Sequence, residues 1–171
     1  ATNEHSSDQI CRALLALCKK ENGIWDQEKV KGLAAALVAK AKGQDSDSVK
    51  SLEVITYLST HSSGRRFQDS NQQPLNFYVP HGQMAGLWER VVNNLNAVVD
   101  AVFLGSASAT NEHSSDQICR ALLALCMRKD GNWDQEKVKG LAAALFDKIE
   151  NTDVADKKYY LDIAMGLFTF L

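Results

Sequence analysis

The sequence predicts an all-α fold, an internally duplicated seven-helix bundle of four helices followed by three. Three observations predict it. Residues Ala1–Cys18 recur unchanged as Ala109–Cys126, and Trp25–Leu37 recur unchanged as Trp133–Leu145, at one offset and without a gap. Apolar residues within each copy fall at helical spacing. The stripes are separated by the residues that start and stop helices, such as Ser6-Ser7-Asp8-Gln9 and Asn22-Gly23.

The first helix opens at a capping box, with Ser6 at the cap and Gln9 three residues on. Ile10, Cys11, Leu14, Leu15 and Cys18 form its apolar stripe, and Asn22-Gly23 is expected to end it in a left-handed turn. The second helix starts with Asp26 as cap and Trp25 as a staple toward Val30. Val30, Leu33, Ala34, Leu37, Val38 and Ala41 line one face, the lysines lie largely off it, and Gly43 closes it. A third helix begins near Asp45–Asp47, carries Val49, Leu52, Ile55 and Leu58, and ends at Ser62-Ser63-Gly64.

Arg65–Gly82 lacks helical periodicity and holds both prolines, Pro74 and Pro80. A loop of this length inside a compact domain is uncommon and often functional, with Leu75–Val79 suited to lie extended across a groove. The fourth helix is the clearest in the pattern: Met84, Leu87, Trp88, Val91, Leu95, Val98, Val99, Val102 and Phe103 keep helical register. Copy two repeats the first pair of helices and ends with a helix over roughly 154–171 that carries Tyr159, Tyr160, Ile163, Leu167, Phe168 and Leu171.

Residues 1–104 are thus the first copy, with the long loop at 62–83, residues 105–108 a joining segment, and 109–171 a partial second copy. One compact domain is expected at this length. A three-helix remainder would leave an apolar groove open, which monomers seldom tolerate. The expected remedy is pseudo-twofold packing, with the long helix Met84–Phe103 serving both copies. The alternative is a homodimer in which a second chain fills the vacancy. Identity that includes the polar residues Thr2–Ser6, which packing does not constrain, points to recent duplication, gene conversion or engineering rather than old drift.

Composition narrows the function. A formal charge of −2 argues against an electrostatic nucleic-acid binder, and no apolar run is long enough to span a membrane. Four cysteines at two copies of one spacing, Cys11/Cys18 and Cys119/Cys126, lie about 10.5 Å apart along a helix, too far for a disulfide within the pair. They read as small apolar residues in a reducing, cytoplasmic setting.

Catalytic motifs are missing. His5, His61, His81 and His113 have no nucleophile or carboxylate at motif spacing, and no Gly-rich phosphate loop occurs. His61, His81 and Arg66 near one groove offer an anion site at most. Asp130, Asn132, Asp134 and Glu136 supply oxygen ligands at alternate positions. A calcium loop of the EF-hand type needs Gly at its sixth position and Glu at its twelfth, where Gln135 and Leu141 stand, so a turn plus a helix cap is the simpler account.

The run Ala121–Gly131, followed by Trp133, Glu136 and a Leu/Ala-rich helix, resembles TerB-like (tellurite-resistance) helical domains. The resemblance implies an all-helical, pseudo-symmetric fold and a metal-linked or membrane-complex role, with Asp130, Asp134 and Glu136 as the acidic cluster. It covers a short stretch of each copy, and Asn22 replaces the aspartate in the first.

The sequence reading is therefore a non-catalytic helical module that binds a protein partner or itself, with no cofactor. Its expected surface is a groove beside the fourth helix made by Met84, Leu87, Trp88, Val91 and Leu95, bordered by Phe77 and Tyr78 of the long loop. The alternative is a TerB-like binder of a metal ion or a small hydrophobic ligand.

Overall fold

The computed structural model describes residues 7–102, 114–127 and 132–170. The expected joining segment 105–108, the cap Ser6, and His5, His113, Phe103, Asp130 and Leu171 lie outside them. Among the described residues the secondary structure is helical, with isolated bridges and no strand. Copy one supplies α1 (Ser7–Ala16), α2 (Gln27–Ala41), α3 (Ser46–Thr60), α4 (His81–Met84), α5 (Trp88–Asn93) and α6 (Leu95–Val102); copy two supplies α7 (Ser115–Ala124), α8 (Gln135–Glu150) and α9 (Val154–Phe170).

Helix starts follow the local chemistry. Asp26 caps α2 by accepting from Lys29 N, Asp45 caps α3 by accepting from Ser48 N, and Asp134 caps α8 by accepting from both Glu136 N and Lys137 N. Ser114 and Gln117 complete a reciprocal capping box at α7. Helix α1 ends at Ala16, earlier than its Asn-Gly signal suggests. The Cys18 carbonyl accepts from Asp26 N at 2.7 Å and Lys19 pairs with Trp25, so the helix gives way to a tight reversal through Lys20–Ile24. Gly23 does adopt the left-handed conformation, φ +81°, but in the loop between helices. Copy two repeats this closure: Asp134 N donates to Cys126 O at 2.7 Å and Met127 pairs with Trp133.

The expected single helix Met84–Phe103 is three short helices, so the seven-helix layout gives way to nine helices among the described residues. One break centres on Asn94, whose Nδ2 donates to Arg90 O at 2.8 Å and so competes for a carbonyl of the helical ladder. The other spans Ala85–Leu87, where Gly86 weakens helix propensity. Breaking the rod lets its pieces reach different partners. Helix α6 packs on α3 and α7, α5 packs on α8, and α4 touches both α2 and α8. The apolar stripe that the sequence shows is real, and Met84, Leu87, Trp88, Val91, Leu95, Val98 and Val99 are all buried.

The long loop is an ordered piece of core. Asp69 is buried and accepts from Asn71 N, Gln73 N and Trp25 N, while the Trp25 indole donates to Gln73 O at 3.0 Å. Ser70 ties the loop to the first copy's turn through Gly23 O and Asn22 O. Beyond it Leu75, Phe77 and Val79 point inward at alternate positions.

Packing breaks the expected pseudo-twofold equivalence. Helix α1 buries Cys11 and Leu15 and packs mainly on α3, whereas its sequence twin α7 buries Ile118, Cys119, Ala121, Leu122 and Leu123 between α3, α6 and α9. Helix α2 buries Val30, Ala34, Leu37, Val38 and Ala41. Over the same sequence α8 buries Lys137, Leu141 and Leu145, the counterparts of Lys29, Leu33 and Leu37. One residue is about 100° around a helix, so the two copies present different faces to the core over their first turns.

The glycines show the asymmetry at atomic scale. A Cβ on Gly140 would meet the Trp88 indole at 2.6 Å, whereas a Cβ on its twin Gly32 would meet nothing within 4 Å. Gly32→Ala is expected to raise stability by about 0.5–1 kcal/mol, the helix-propensity difference. Gly140→Ala is expected to lower it, because overpacking typically costs about 1–3 kcal/mol and outweighs the same gain. Urea unfolding of the two variants beside the parent checks the opposite signs.

Candidate functional site

The residues expected to line a partner groove are in the core. Met84, Leu87, Trp88, Val91, Leu95 and Phe77 are each at most 5% exposed, because the broken fourth helix packs between the two copies. They present almost no surface to solvent. Tyr78 alone remains half-buried, with its hydroxyl donating to Asp134 Oδ2 at 3.3 Å.

The proposed oxygen ligands do not converge among the described residues. Asn132 and Glu136 are exposed, and Glu136 pairs with Lys139 at 3.5 Å. Asp134 is buried, with its carboxylate committed to the start of α8 and to Tyr78. No group of three or more His, Cys, Asp or Glu side chains suited to a metal occurs among the described residues. The His61 ring packs tilted against Tyr57 and edge-on to Phe67, and burial, with help from Arg66, holds its imidazole below the usual histidine range. His81 starts α4 and is exposed.

The cysteines are buried free thiols. Burial pushes Cys11 and Cys126 up to about 12 and Cys119 up to about 11, so none supplies a thiolate at neutral pH. Cys119 lies where α7 and α9 meet, donating to Ile163 O, and Gly166 gives it room. Their part is packing. All four are expected to resist a thiol-specific disulfide reagent in the folded chain and to react once it is unfolded, which absorbance at the released thiolate checks.

A small apolar cleft lies between α8 and α9 of the second segment. Val138, Leu141, Leu145, Leu167 and Phe168 line it, together with Leu123 of α7 and Cys126 just beyond that helix. Phe146, Met165 and Phe168 stand half or more exposed on these two helices. The counterparts of Val138, Ala142 and Phe146 in copy one are Val30, Ala34 and Val38, all buried in the α2 face that packs on α3. Sequence reasoning anticipated an uncovered groove in the three-helix copy but sited it at the fourth helix. The sequence signal for the α8–α9 cleft was Phe146, a large apolar residue at the point where the repeated segments diverge.

Lys137 is 3% exposed, whereas Lys29, its twin on the lysine-bearing side of α2, is exposed. Burial holds its amine below the usual lysine range, with Asp134 and Cys126 opposing, and the Tyr78 ring lies 4.4 Å from Nζ. With the folded value lowered, the unfolded chain binds more protons between that value and 10.5, so the penalty on stability is full below this window and fades as pH rises through it. Lys137→Met is therefore expected to stabilise the protein at pH 7, and by less near pH 10. Thermal unfolding of both proteins at the two pH values measures the difference.

Comparison of the chain with protein-family models, with curated proteins and with solved structures gives no match. No helix among the described residues is long and apolar enough to cross a membrane.

Proposed function

We propose that this chain is a non-catalytic helical association module whose working surface is the α8–α9 cleft. The observation that carries the reading is that one apolar face, the same in sequence in both copies up to Leu145, is buried in the α2–α3 packing but left uncovered beside α9. Exposed apolar patches on this scale are costly to keep in water and mark interaction sites. Phe146 and Phe168 supply flat, rigid contact surface at the cleft, and Met165 supplies an adaptable one.

The reading is tested by sedimentation equilibrium on the parent chain and on Phe146→Asp/Phe168→Asp. The parent is expected to form a dimer with rising concentration, and the variant to remain a monomer with an unchanged helical circular-dichroism signal. A parent that is monomeric throughout the micromolar range overturns self-association through this surface.

A further inference from the structure

A second opening, unrelated to the apolar cleft, lies where the two copies meet. It has a volume of about 160 Å³ and is walled by the end of α3, the Asn76–Val79 segment, the end of α7 and the side chain of Lys137. Its polar lining residues include Ser59, Ser62 and Ser63, and its apolar ones Phe77, Val79 and Leu125. The Lys137 stem is buried, and its Nζ has the Tyr78 ring as neighbour but no hydrogen bond or ion pair among the described residues. No fully buried side-chain nitrogen or oxygen among the described residues lacks a partner, so Nζ keeps an accessible edge toward this cavity, where an acceptor can reach it. The nearest carboxylate, Asp134, is occupied by the backbone N–H groups of Glu136 and Lys137 and by the Tyr78 hydroxyl.

We propose that this cavity binds a small organic monocarboxylate, with its carboxylate against Lys137 Nζ and the serine hydroxyls and its short apolar tail against Phe77, Val79 and Leu125. One negative charge matches the single lysine. The C-terminal ends of α3 and α7, which carry partial negative charge, also reach this cavity and oppose any anion there, so a second negative charge beyond the one that the Lys137 ammonium neutralises is repelled more strongly. The cavity's volume allows a chain of a few carbons. Sequence alone hides the site, since Lys29 in an identical segment is solvated.

The test uses the full chain with sodium butyrate as probe and sodium chloride and inorganic phosphate as controls, read by saturation-transfer NMR and by melting temperature. Saturable butyrate binding is expected in the parent and in Lys29→Met, with a matching rise in melting temperature. Lys137→Met is expected to bind about 10- to 100-fold more weakly, the usual effect of losing a charge-assisted hydrogen bond. Ser62→Leu, which fills the cavity and keeps the amine, must lose the response as well, and it decides the matter if Lys137→Met does not fold. Absence of saturable butyrate binding by the parent, equal binding by Lys137→Met, or a preference for phosphate overturns the proposal.

Discussion

Two repeated segments of unequal length can share one core only if something apolar is buried by both, and the stretch from Met84 to Val102 meets that requirement. Its first piece bridges α2 and α8, its second lies on α8 with the Trp88 indole seated against Gly140, and its third fills the space between α3 and α7. A straight helix has one stripe and one direction. The interruptions at Gly86 and Asn94 turn that stripe into three short faces at different angles, which is how a single segment packs against four other helices. A full side chain at position 140 would hold α5 and α8 apart where the indole now touches backbone.

The second structural centre is a carboxylate. Asp69 gathers three backbone N–H groups, from Asn71, Gln73 and Trp25, and this converts a Pro-containing connection into a fixed wall. Burial works to raise the Asp69 carboxyl, but those donors outweigh it and hold it below the usual aspartate range. Asp8 does similar work on the other side. Burial there too is outweighed, by hydrogen bonds from Arg12, Tyr57 and Arg66, which join α1 to α3 and to the loop. Its twin Asp116 pairs with Arg120 on an exposed surface. The connection thereby places Phe77 and Tyr78 between the copies, where they wall the Lys137 cavity.

Much of this was legible in the chain. Caps at Asp26, Asp45, Asp134 and Ser114 are chemical events within three residues, and local sequence is enough to specify them. The apolar stripe from Met84 onward was also legible as a stripe. That its members would be sealed inside was not, because periodicity says which residues share a face and is silent on what covers that face. The Asp69 centre was harder still: a run of polar residues before Pro74 looks like an ordinary turn, and its partner Trp25 is distant in sequence.

The repeated segment separates the two kinds of information cleanly. Trp25–Leu37 and Trp133–Leu145 have one sequence, and both make the same bridge, the same closing hydrogen bond to a cysteine carbonyl and the same aspartate-capped helix. That much the amino-acid order determined by itself, since each of those interactions is satisfied within a few residues. Tertiary structure decided the rest: Lys29 is solvated and Lys137 buried, Val30 sealed and Val138 partly open, Gly32 free and Gly140 pressed by an indole. The reason is that a helix with apolar residues on more than one face buries whichever is offered a surface to cover it, and that surface comes from distant parts of the chain.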